Sequence, residues 1–167
     1  DLLRRWNAQP DKENITYESF LKRNSSHRDH FESVLEKDSS AKELQGRGYR
    51  FARSHFKSLA IYGHKFSLAR IRLETGRTHQ IRVHAQELNC PVLGDPVYNF
   101  KRDFPHFFSL ELRSFLQSLS HQLLHAEQLG FFHPRDQRWM LFQTEPHENF
   151  QKALQGFKKY EVNFSID

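Results

Sequence analysis

Ten consecutive residues, Thr75-Gly76-Arg77-Thr78-His79-Gln80-Ile81-Arg82-Val83-His84, gather the side chains that grip anions. Arg77 can hold a phosphate or carboxylate through two parallel hydrogen bonds. Gly76 carries no Cβ and lets another backbone come close. Thr78, His79 and Gln80 add polar contacts. If the run opens a helix, its first N–H groups and the helix dipole also favour negative charge. Arg82 follows the apolar Ile81, which predicts a half-buried guanidinium, and such a group needs a carboxylate or phosphate partner. The same ten residues also read as a solvated helix start with incidental charge. Position in a site decides between the two readings.

Other chemistries are poorly served. There are eleven histidines, but His79 and His84 diverge on a helix, and His121 and His125 would share a face on a helix but stand ~13 Å apart on a strand. No metal site is expected. A nucleophilic hydrolase needs a Ser or Cys in a sharp turn. Cys90, before Pro91, reads instead as a small buried filler.

The elements that must position the run follow from periodicity. Residues 49–61 read as a strand, with Ala52, Ser54, Phe56, Ser58 and Ala60 on one face and Arg53, His55 and Lys57 on the other. Tyr62-Gly63-His64-Lys65 is a hairpin turn. It leads to a second strand over 66–74, where Ala69, Ile71 and Leu73 oppose Arg70, Arg72 and Glu74. The basic stripe on these strands fits either an RNA contact or an ordinary solvated face. Residues 77–89 predict a helix with an Ile81, Ala85, Leu88 stripe, capped by Thr75 or Thr78 and ended by Cys90-Pro91. Gly94-Asp95-Pro96 is a turn. A helix over 106–119 carries Leu112, Phe115, Leu116 and Leu119. Residues 121–132 fit neither period. His133 to Asp136 and the Trp139–Phe142 run suggest a second hairpin. A last helix starts near Pro146, with Phe150, Ala153, Leu154 and Phe157 inward. Residues 1–48 are expected to form an irregular arm with short strands, and 24–29 a loop. The fold class is α+β, an antiparallel or mixed sheet with flanking helices.

The whole chain has 167 residues, enough for one domain with a real core. Mean hydropathy is −0.78, and sixteen Phe against one Met assign the core to aromatics. A net charge of +5 and a pI of about 9.4 tilt toward a polyanionic partner. The single Cys90 excludes an internal disulfide and fits a reducing cytoplasm. No apolar run approaches the ~18–20 residues of a membrane span. The start, Asp1-Leu2-Leu3-Arg4-Arg5-Trp6, has neither signal-peptide character nor an initiator Met. A processed or excised piece is expected.

Leu68 through His84, followed by Pro91-Val92-Leu93-Gly94-Asp95-Pro96-Val97-Tyr98 and by Leu124-His125-Ala126-Glu127-Gln128-Leu129, closely resembles the RluA-type family of RNA pseudouridine synthases. The resemblance is clear over about residues 48–158. It implies an isomerase that converts uridine to pseudouridine in structured ribosomal or transfer RNA. The glycosidic bond breaks, the uracil turns, and it rejoins through carbon 5, with neither metal nor organic cofactor. The base is flipped into a cleft. An aspartate is catalytic, and the resemblance makes Arg82 its basic partner, with Gly76, Arg77, Thr78, His79 and Gln80 on the RNA side. Residues 99–120 exceed the expected family connection and read as an insertion packing on the outside.

The family's His-Arg-Leu-Asp segment, followed by Thr-Ser-Gly, does not occur in this sequence. Asp29 follows His27-Arg28 but lacks the rest. Asp95 sits in the Gly-Asp turn, where it ties down a loop. Tyr17 lacks the context of the family's base-stacking tyrosine. The chain therefore reads as the C-terminal part of a catalytic domain, inactive alone, whose missing N-terminal half supplies the aspartate. The alternative is a catalytically dead RNA-binding module that keeps the scaffold.

Overall fold

The structure, a computed structural model, describes residues 14–99 and 104–162. The start of the polar arm, and residues 100–103 of the 99–120 connection, lie outside them.

Four antiparallel strands form the main sheet in the order β2-β1-β3-β4. They are β1 (Ile15–Arg23), β2 (Phe31–Val34), β3 (Arg50–Tyr62) and β4 (Phe66–Leu73). The arm before residue 48 is thus more regular than expected, because β1 is a nine-residue interior strand. Ile15, Tyr17, Ser19 and Leu21 alternate onto its front face, while Phe20 on the back sits opposite Phe51. The buried Ser19 hides that alternation from a hydropathy reading. The short helix α1 (Ala41–Gly46) opens with a capping box, Ser40 and Glu43 each bonding the other's backbone N–H. Its Leu44 joins Phe20 and Tyr49 in a small cluster.

The β3–β4 hairpin turns where expected. Gly63 and His64 both take left-handed φ, 54° each, and the Lys65 N–H bonds to the Tyr62 carbonyl at 3.1 Å. The predicted face of β3 holds only to Ser58. The register shifts between Ser58 and Ala60, so the extra residue turns Ile61, not Ala60, toward Phe56. Ala60 instead packs behind the sheet.

That reversal gives the sheet two cores. In front, the helix α2 (Gln80–Glu87) lies over β1 and β3, with Ala85 against Ile15, Phe56 and Ile61, and Val83 against Leu21 and Ala52. Behind, α3 (Leu110–Ser118) and α4 (Glu148–Lys158) pack Leu112, Leu116 and Phe157 against Tyr62 and Phe108. The 99–120 connection is therefore no external decoration, since Phe104, Phe108 and Leu112 help build the larger core. Helix α3 begins later than predicted, because Ser109 caps it by accepting the Leu112 N–H. A separate two-stranded ribbon, β5 (Gln128–Phe132) and β6 (Trp139–Gln143), resolves the ambiguous 121–132 stretch as loop and strand.

Candidate RNA-gripping site around Arg82

Helix α2 begins at Gln80 rather than 77, and neither Thr75 nor Thr78 caps it. Its N-cap is His79, left-handed at φ 59° with no side-chain cap bond. Gln80 governs the turn instead. Its side-chain oxygen accepts the Arg77 N–H at 2.9 Å and the Thr75 hydroxyl at 2.9 Å. Its amide nitrogen donates to the Arg53 carbonyl and to Ser54 Oγ, each at 3.0 Å. Gln80 is buried and spends its polar atoms on the sheet, so it shapes the grip and does not face a ligand.

Gly76, Arg77 and Thr78 are exposed. Beyond its two chain neighbours, no atom of the described residues lies within 4 Å of where a Gly76 Cβ would stand, so their packing does not require glycine there. The open side is free for an approaching backbone. Arg77 donates Nε to the Phe51 carbonyl at 3.1 Å. That anchors the stem of the guanidinium and leaves both Nη groups without a bond among the described residues.

Arg82 is buried, and its acid comes from within the chain. Nε donates to Asp95 Oδ2 at 2.7 Å and Nη2 to Oδ1 at 2.8 Å. The sequence reading assigned that acid to a segment outside the 167 residues. It gave Asp95 only the loop, which Asp95 also holds, accepting the Val97 and Tyr98 N–H groups at 2.9 and 3.0 Å. The guanidinium carbon lies 4.9 Å from the Tyr98 ring centre, a cation–π contact. Burial pushes the Asp95 carboxyl up, but Arg82 and the two amides outweigh it and hold the group below the usual carboxylate range. The Asp95 hydrogen bonds raise Arg82 further. Nη1 of Arg82 makes no hydrogen bond among the described residues. The pair is close to neutral overall, and the Nη1 N–H groups of Arg82 remain to donate.

Tyr98 extends the site. Its hydroxyl accepts the Phe31 N–H at 2.8 Å and meets His79 Nδ1 at 3.0 Å. The direction of that second bond follows the His79 tautomer. Burial, then Arg82, lowers the His79 pKa. Phe31 and Tyr98 stand edge-on to the His79 ring, at 5.3 and 5.6 Å. The sequence reading passed over Phe31 and Tyr98. The only signal for Tyr98 was its place after the Gly-Asp turn.

His84, the last of the ten, faces the sheet. Its Nε2 meets Ser19 Oγ at 3.0 Å and its Nδ1 Ser54 Oγ at 2.9 Å. Burial lowers its pKa to about 4, so it is neutral at pH 7. It is a strut between α2 and the middle of the sheet.

The basic stripe on the back of the sheet is largely neutralised. Arg53 pairs with Glu18 at 2.7 Å and Glu74 at 2.9 Å, and His55 with Glu74 at 2.6 Å. Arg70 makes two 3.0 Å bonds to Glu127. The exposed cation of the candidate grip is therefore Arg77. Tyr17 lies edge-on to His84, and Asp29 bonds His30 at 2.9 Å on an exposed loop, so neither sits with Arg82.

Residues 8–87 match the family model described as RNA pseudouridylate synthase. The match begins well before residue 48, the expected start. An RNA pseudouridine synthase of Chloroflexus aurantiacus, itself termed uncharacterized, is 46% identical over 105 residues, covering 63% of this chain and 29% of that protein. Ribosomal large subunit pseudouridine synthase D of Zymomonas mobilis is 40% identical over 108 residues, 64% of this chain and 31% of that one. The chain thus spans under a third of these curated relatives. The solved human RNA Pseudouridylate Synthase Domain Containing 4 shares the fold, with a TM-score of 0.55 at 18% identity, covering 87% of this chain and 56% of that one.

Proposed function

Since the chain is related to the RNA pseudouridine synthases through the segment that carries Arg77 and Arg82, we propose that it forms the RNA-gripping part of an enzyme isomerising uridine to pseudouridine in structured RNA. In this reading the catalytic aspartate comes from a portion of the domain outside these 167 residues, and the chain alone does not turn over. The isolated sequence contains no His-Arg-Leu-Asp segment, and its relatives are more than three times as long as the stretches matched.

One observation carries the proposal. A buried guanidinium, locked by Asp95 and lying against Tyr98, sits one helical turn behind an open Gly76-Arg77-Thr78 edge. Such an arrangement can hold a phosphodiester at the edge through Arg77. It can also present the unused N–H groups of Arg82 Nη1, already oriented by Asp95, to a second carboxylate. Holding that carboxylate ionised suits an aspartate that must act as a nucleophile or base. The site needs no metal for this work. His79 sets an imidazole, held against Tyr98, beside the grip. Cytoplasmic placement belongs to the same reading.

The test is release of tritium from RNA carrying 5-tritiated uridine. The 167-residue chain alone should release none, yet bind structured RNA with an affinity that falls steeply with salt. Joined to the N-terminal portion that this reading requires, it should turn over, and Arg82→Lys should lower turnover while leaving RNA affinity mostly intact. Release by the chain alone would contradict the outside aspartate. Salt-dependent binding with no release from the joined protein would favour the dead RNA-binding module.

A further inference from the structure

Glu74 stands between the end of β4 and the open Gly76-Arg77-Thr78 edge, and it is tied down three times. Its N–H donates to the Arg53 carbonyl at 3.2 Å. One carboxylate oxygen accepts Arg53 Nη1 at 2.9 Å, and the other accepts His55 Nε2 at 2.6 Å. Both anchors lie on β3, and both are held in turn from β1. Glu18 takes Arg53 Nε at 2.7 Å, and Thr16 Oγ1 meets His55 Nδ1 at 2.8 Å. The carboxylate of Glu74 is thus fastened, on the back of the sheet, to two strands besides its own.

The turn is fastened to the same residue of β3. The Arg53 N–H donates to Thr75 Oγ1, and the Arg53 carbonyl accepts the Gln80 amide as well, each at 3.0 Å. Arg53 therefore holds the chain just before the open edge and again just after it. Between those two ties lies Gly76, the residue with the greatest backbone freedom. A loose Gly-Arg edge would have to be ordered by its ligand at a cost in affinity, and fastening it beforehand removes that cost. Neither stability nor charge accounts for these pairs. The Arg53 and Glu74 side chains are 36% and 38% exposed, and ion pairs that exposed contribute little to stability. A carboxylate next to an anion-gripping turn also repels the anion. Geometry is what Glu74 supplies there.

We infer that Glu74 is a positioning residue for the RNA grip. Through Arg53 and His55 it sets the direction of the Gly76-Arg77 edge, and it touches no RNA itself. The inference rests on the proposed reading of that edge as an RNA contact. It makes a prediction opposite in sign to that of simple electrostatics. Removing a negative charge beside the grip should tighten RNA binding if charge is all that Glu74 brings. It should weaken binding if Glu74 holds the edge.

The experiment compares Glu74→Ala with Glu18→Ala in the 167-residue chain, by fluorescence anisotropy with a labelled RNA stem-loop. Each variant removes one carboxylate from Arg53, but only the first releases the edge. Glu18→Ala should bind RNA as tightly as the unsubstituted chain or more tightly. Glu74→Ala should bind about two- to tenfold more weakly, the cost of ordering one long side chain on binding. Glu74→Gln, which keeps an oxygen for Arg53 Nη1, should recover part of that loss although its charge is equally gone. Higher salt shrinks the charge effect, so the deficit of Glu74→Ala should persist there. Hydrogen exchange at the Arg77 amide should quicken in Glu74→Ala and not in Glu18→Ala. Tighter binding by Glu74→Ala, or the same change in Glu74→Ala and Glu18→Ala, would overturn the inference and leave the RNA reading of the edge intact. An unsubstituted chain that binds no RNA would sink both.

Discussion

Asp95→Asn is the sharpest probe of the site, because the structure fixes what it removes. The carboxylate is fully buried and its Arg82 partner nearly so, with side-chain exposures of 0% and 10%. Asn keeps one oxygen for the Val97 and Tyr98 N–H groups. Its amide nitrogen then faces Arg82 Nε, donor against donor, and the negative charge is gone. Removing one partner of a buried pair costs about 3–5 kcal/mol, because the other charge stays behind unpaired. For a chain of this size that is about 6–20 °C in Tm. Asp95→Ala should cost more, since two buried N–H groups also lose their acceptor, at about 1–3 kcal/mol each. The double variant Arg82→Met, Asp95→Asn should recover part of the loss, since neither charge remains. Urea unfolding followed by far-UV circular dichroism measures all three. A loss under about 1 kcal/mol for Asp95→Asn would mean that the pair behaves like an exposed salt bridge, and the argument for a locked guanidinium would fail.

Three further outcomes follow from neighbouring residues. Burial holds His84 at about 4, below the ~6.5 of an ordinary histidine, so the unfolded chain takes up a proton first as pH falls. The neutral strut's contribution is complete above about pH 6.5 and drains away toward pH 4, by about 3 kcal/mol in all. His84→Gln should start less stable and lose less over that window. Equal slopes for both proteins in a pH series of urea unfolding would refute the strut. Arg77→Ala should weaken RNA binding and flatten its salt dependence, with stability unchanged to within about 0.5 kcal/mol. Gln80→Ala should do the reverse at first, costing about 1–3 kcal/mol by leaving the Arg77 and Ser54 partners unmet, as filter binding beside thermal unfolding would show.

The exposed turn of the candidate site was legible in the sequence because it consists of adjacent residues. Gly76, Arg77 and Thr78 lie in one turn, and a turn between a strand and a helix exposes its side chains wherever the rest of the chain goes. The strands 50–62 and 66–73 and the hairpin between them were legible for a related reason, since alternation and a Gly-His turn are local properties.

What only the tertiary structure decided is how the polar residues are spent. Gln80 and His84 stand in the same polar run as Arg77, yet both point inward, because α2 presses against β1 and β3 where Ser19 and Ser54 leave room for hydrogen bonds. Arg82 finds Asp95 thirteen residues on, across a turn whose direction no local pattern gives. The cations of the sheet's back face meet Glu18, Glu74 and Glu127, carboxylates from three separate segments. One bulge at Ser58–Ala60 moves Ala60 to the opposite core, because side chains alternate with a period of two and a single extra residue reverses every one that follows. Local sequence thus determined which groups the protein owns, and long-range packing chose which of them remain exposed.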